Sequence, residues 1–75
     1  MFEDLLHPYP VRRNVVVTTK SDTSFRGVLW ARNREFLVLK SVELLRGSDR
    51  PIPMNGEVVI ERTNVDYYQV LNGVV

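Results

Sequence analysis

The sequence predicts an all-β protein, a small, strongly bent five-stranded barrel. Three observations carry that expectation. Runs rich in valine, isoleucine, threonine and aromatic residues recur along the chain with polar turns between them. A glycine, Gly27, stands inside the second run, where it weakens a flat strand but admits a sharp bend or the close approach of another backbone. A segment holding Gly47, Pro51, Pro53 and Gly56 then interrupts the pattern before two further strand-like runs. Short strands with almost no helix and an inner glycine favour a barrel over a sandwich.

The elements follow in order. Phe2 to Leu6 reads as a short N-terminal helix, with Glu3 and Asp4 placed where a helix N-terminus favours acids. Pro8 and Pro10 end it; a flexible arm is the alternative. Val11 to Thr19 is the first strand, directing Val15, Val17 and Thr19 to the core and Val16 and Thr18 away. Lys20 to Thr23 is a polar turn in which Asp22 can bond its own backbone. In the second strand Phe25, Gly27 and Leu29 share the core face, and Arg26, Val28 and Trp30 the other. Arg32-Asn33-Arg34 turns the chain, asparagine tolerating the left-handed conformation of such turns. Phe36 to Leu45 is a long third strand with Leu37 and Leu39 inward and Phe36, Val38 and Val42 on the opposite face. Residues 46–56 read as a variable loop, Glu57 to Arg62 and Val65 to Leu71 as strands four and five, and 72–75 as a tail.

Size and composition narrow the function. Seventy-five residues make one domain, and a chain this short buries only about 60% of its unfolded surface. Such domains are commonly reinforced by disulfides, metals or oligomerisation. With no cysteine and one histidine, His7, neither a disulfide nor a metal site is expected, which leaves oligomerisation. No Gly-rich phosphate loop, nucleophile–base pair or carboxylate pair suggests catalysis, so neither an enzyme nor a cofactor is expected. The formal net charge is +1, so any affinity for nucleic acid must come from local clustering. Arginine outnumbers lysine eight to two, a bias that suits planar contacts to carboxylates and phosphates. The acidic N-terminus does not read as a signal peptide, and no apolar run is long enough to span a bilayer; a cytoplasmic protein is the expectation.

These residues resemble the Sm/Lsm family, which includes the bacterial Sm-like RNA chaperone. Val15-x-Val17, the turn Lys20 to Thr23, Phe25-Arg26-Gly27-Val28-Leu29 and Phe36-Leu37-Val38-Leu39 stand in the order of the first Sm motif, and Ile60-Glu61-Arg62-Thr63-Asn64-Val65 occupies the place of the second. Residues 2–6 match the family's N-terminal helix. The resemblance implies an Sm-like (SH3-like or OB-like) barrel that assembles into a homo-oligomeric ring of about five to seven subunits by pairing the fourth strand of one copy with the fifth of the next. Val58, Ile60, Tyr67, Tyr68 and Val70 are the candidate interface residues. The chain is also similar to divergent Sm-like proteins of phage-derived sequences, which is compatible with a viral origin and residence in a host cytoplasm.

The resemblance also implies a ligand region, which this chain alters. Asn33 stands near the position of the family's aspartate, Phe36 stands where its asparagine would be, and the loop is a residue shorter. Glu61-Arg62 replaces the usual Arg-Gly, placing a carboxylate where phosphate would approach. The candidate RNA or ligand residues are Arg32, Asn33, Arg34, Phe36, Arg62 and Asn64. Arg32 and Arg34 would line a pore or loop face if repeated around a ring, whereas singly they read as a solvated turn paired with Glu35. Trp30 and Phe36 read as interface or core aromatics rather than base-stacking platforms. The expected function is a non-enzymatic ring that acts as an assembly or interaction module. A ring binding single-stranded RNA and a monomeric SH3-like peptide-binding module are the rivals.

Overall fold

The computed structural model describes residues 11–71. The expected N-terminal helix and the tail at 72–75 lie outside the described residues. The fold is all-β, as expected. The described residues contain six strands rather than five: β1 (Asn14–Thr19), β2 (Ser24–Arg32), β3 (Phe36–Leu45), β4 (Ile52–Pro53), β5 (Val58–Glu61) and β6 (Val65–Val70), with a 3-10 turn at Arg62–Asn64 between the last two. All pairings are antiparallel, in the order β4-β3-β2-β1-β6, with β5 also on β3.

The sheet does not close into a barrel, which corrects the expectation. No ladder joins β5 to β6 among the described residues. They are linked by the 3-10 turn rather than by a hairpin, so each remains on its own flank: β5 on β3, β6 on β1. The extra strand, β4, lies inside the segment read as a variable loop. Ten-residue β3 is longer than β5 can cover, and its C-terminal half is paired instead by Ile52 and Pro53 opposite Leu44 and Glu43.

Alternation in β1 follows the sequence reading from Val15 to Val17, but Thr18, expected to face away, is buried where the register against β6 shifts between Thr18 and Thr19. Val15 and Val17 are each 1% exposed, and they pack with Leu29, Leu37, Leu39, Val42 and Ile60 to form the core. Burying each such side chain contributes about 1.5–3 kcal/mol. Phe25, Val58, Val65 and Tyr68 pack around this cluster. β1 begins later than expected because Arg12 adopts a left-handed φ of 65°, which interrupts the extended run. Thr18, also buried, shares a 2.8 Å hydrogen bond between its hydroxyl and that of Ser24. The following turn is organised by Thr19. Its Oγ1 accepts from the Thr23 amide and its carbonyl from the Asp22 amide, while Asp22 takes φ 67°.

Two bulges set the curvature. Arg26 pairs with Glu43 but Val28 pairs with Lys40, so Ser41 and Val42 together oppose Gly27. Ser41 sits at φ 53°. The inserted residue reverses the alternation of β3: Leu37 and Leu39 point inward before it and Val42 after it. This places Val42 in the core, not on the outer face where strict alternation put it. The bulge is possible because Gly27 has no side chain; a Cβ there would lie 2.9 Å from the Lys40 carbonyl oxygen and 3.1 Å from Val42 Cγ2. The second bulge is Trp30, extra between the pairs Leu29–Leu39 and Ala31–Val38.

Candidate functional site

The two halves of the candidate ligand region are brought together. Asn33 builds the β2–β3 loop through its side chain rather than through a left-handed backbone. Its Oδ1 accepts from the Glu35 amide at 2.8 Å and the Phe36 amide at 2.7 Å, and its own amide donates to the Phe36 carbonyl. Arg62 clasps this loop from the 3-10 turn. Its amide donates to the Glu35 carbonyl at 2.8 Å and its Nη1 to the Asn33 carbonyl at 2.7 Å. Two of the six candidate ligand residues are thereby engaged in holding the loops together.

The others lie around that clasp. Arg32, half-buried, pairs with Leu37 across the strand. Arg34 is exposed and makes no ion pair with Glu35. Phe36 is 36% exposed, opposite Glu61. Asn64 is exposed, and its carbonyl accepts from the Lys20 amide. The arrangement offers solvent one free arginine fork, one aromatic ring and one amide side chain, next to the Glu61 carboxylate.

The candidate interface residues divide by side-chain direction. Ile60 belongs to the core at 5% exposure, and its backbone pairs with Leu37 on β3. Val58 and Tyr68 are half-buried against the core. Val70 pairs with the buried Val15 and yet is 37% exposed, so the core is open at the Val70 end of β6. Tyr67 faces outward at 55%. Val59, not singled out from the sequence, is the most exposed of the large apolar residues at 57%. Alternation marks it, since with Ile60 inward its neighbour on β5 must face outward.

The ladders show which edges are open. The Arg62–Glu35 bond fixes the alternation of the β3–β5 pair, so Leu37–Ile60 and Leu39–Val58 exchange hydrogen bonds. The Val59 and Glu61 amides and carbonyls therefore point to the open side of β5. On β6 the Leu71–Asn14 bond fixes the alternation in the same way and directs the Val70 groups away from β1. β4 differs. The Met54 amide donates to the Val42 carbonyl, so Glu43–Pro53 is a non-bonded pair, and the open side of β4 meets a proline nitrogen that cannot donate.

On the outer face, Trp30 is 38% exposed, neither core nor covered by another strand. Arg12 Cζ lies 3.9 Å and Lys40 Nζ 4.1 Å from its ring centroid. Lys40 also pairs with Glu57 at 3.6 Å. No group of three or more potential metal ligands occurs among the described residues, and no described helix is long and apolar enough to cross a membrane.

No protein-family model matches this chain, and no curated protein matches it. Among solved structures it is similar to a chain in the crystal structure of the NatC complex bound to CoA, with a TM-score of 0.72 and 25% identity. The similarity covers 83% of this chain and 79% of that one, so the two chains are of closely similar length.

Proposed function

We propose that this chain is a non-enzymatic Sm-like protein whose copies join edge to edge, β5 of one to β6 of the next, in a closed ring of about five to seven subunits that serves as an assembly or interaction module. One observation carries the reading: the core is left open at β6. Val70 stands on the inner face beside fully buried Val15 and is still 37% exposed. A neighbouring β5, bringing Val58 on its inner face and Val59 on its outer face, would continue both the ladder and the core. An apolar edge left unpaired would otherwise promote aggregation. The similarity to a chain of comparable length in a multi-component complex agrees with an assembly role. Native mass spectrometry and sedimentation velocity at micromolar protein test the reading. A single closed oligomer is expected; a monomer refutes it.

The second reading is a ring that binds single-stranded RNA. It draws on exposed Arg34, Phe36 and Asn64 beside Arg32 and Arg62. The structural duties of Asn33 and Arg62 and the adjacent Glu61 weigh against it. Fluorescence anisotropy with oligo-U and oligo-A at two salt concentrations separates the readings, because phosphate contacts give steep salt dependence. No binding at low salt removes the second.

A further inference from the structure

We propose that Arg12, Trp30 and Lys40 form a binding site for phosphoryl groups on the outer face of the sheet, separate from the β2–β3 loop. The guanidinium of Arg12 lies over the Trp30 ring at 3.9 Å and the Lys40 ammonium at 4.1 Å, which brings the two charges within about 8 Å of each other. Stacking occupies the face of a guanidinium and leaves the N–H donors at its edge free to form forked contacts. Arg12 is also held through its backbone, its amide donating to the Leu29 carbonyl at 2.6 Å, so its side chain starts from a fixed base. The exposed Arg13 follows it. Among the described residues no carboxylate pairs with Arg12 or Arg13, and Glu57 is the one acid paired with the cluster, through Lys40.

Among the described residues, two cations and one acid, Glu57, surround an exposed aromatic ring, which leaves an excess of positive charge for an anion to neutralise. A phosphoryl group reaching two partners by charge-assisted bonds of about 2.7–2.9 Å bridges cations up to about 8 Å apart, the most that their distances to the ring allow between Arg12 and Lys40. Its tetrahedral oxygens can meet the fork of one and the ammonium of the other together. A carboxylate has two coplanar oxygens and less charge, and fits this pair less well. The phosphoryl group can belong to a single-stranded nucleic acid or to a free phosphorylated compound. The strand would add a base to stack on Trp30.

Trp30 is the sole tryptophan, so its emission reports on this site. The full-length protein is titrated at low salt with tripolyphosphate, with a single-stranded oligonucleotide of equal phosphate number, and with polyglutamate. A saturable emission change with tripolyphosphate is expected, about tenfold weaker in Arg12→Gln, unchanged in Arg50→Gln, and about two- to fivefold tighter in Glu57→Gln, which removes the competing acid. Circular dichroism checks that Arg12→Gln is folded, and Glu57→Gln tests the site independently if it is not. Tighter binding of the oligonucleotide assigns the site to a strand, and equal binding to a free phosphorylated compound. No emission change with either phosphate probe, equal binding of polyglutamate, equal weakening in Arg50→Gln, or no tightening in Glu57→Gln overturns the proposal.

Discussion

Replacing Gly27 with alanine tests how this sheet bends. The added Cβ would lie 2.9 Å from the Lys40 carbonyl oxygen and 3.1 Å from Val42 Cγ2. The side chain at Val42 can adjust by rotating; the carbonyl cannot, because it belongs to the backbone leading into the Ser41 bulge. Overpacking of this kind costs about 1–3 kcal/mol. Alanine returns about 0.5–1 kcal/mol by restricting the unfolded chain. The net expectation is a loss of about 1–2 kcal/mol, or roughly 5–15 °C in Tm for a domain of this size. The assay is denaturant unfolding followed by circular dichroism, at one protein concentration because association would add to apparent stability. Val42→Ala is itself destabilising because Val42 is buried, but in its background Gly27→Ala should cost less, a coupling of about 0.5 kcal/mol or more, since one of the two obstructing atoms is gone. Unchanged or increased stability in Gly27→Ala, with an unchanged denaturant slope, would refute the close-approach argument.

Further outcomes follow from other residues. Leu37→Ala removes a 0% exposed side chain and should cost about 2–5 kcal/mol in the same unfolding assay. Asn33→Ala strips two amides of their acceptor and should cost about 0.5–1.5 kcal/mol, Asn33→Asp retaining most of that stability because it preserves the oxygen. Val59→Lys places a charge on an outward position of β5 and should shift sedimentation toward monomer while changing intrinsic stability by less than about 0.5 kcal/mol; an unaltered oligomer would count against β5 as an interface. The Arg26–Glu43 bond joins two partly exposed side chains, and a double-mutant cycle should assign it no more than about 1 kcal/mol.

The core was legible wherever strict alternation holds: Val15, Val17, Leu29, Leu37 and Leu39 all point inward as their spacing requires. Reading failed where the ladder gains a residue. Val42 lies beyond the Ser41 bulge, and nothing local in Lys-Ser-Val announces an inserted residue; the clue stands fifteen residues earlier, at Gly27. Strand β4 was hidden because prolines 51 and 53 argue against a strand, and it pairs only because β3 leaves a flank for it. The loop residues at 32–36 and 62–64 were legible as neighbours but not in their duties. Asn33 spends its side chain on its own loop, and that Arg62 spends its guanidinium on the same loop depends on a contact 29 residues apart in sequence. Val59 was available from the period-two pattern of β5 once Ile60 was placed in the core.

Pro53 bears on how many partners one molecule would accept in the proposed assembly. In the language of polymer chemistry, a monomer with two complementary reactive ends builds chains or closed cycles, whereas a third reactive end yields branched networks of unlimited size. β5 and β6 present ladder groups on their open sides; β4 presents an imide nitrogen at Pro53. In the proposed assembly, the donor missing at Pro53 disfavours a third pairing at β4, so association along the edges can terminate rather than gel.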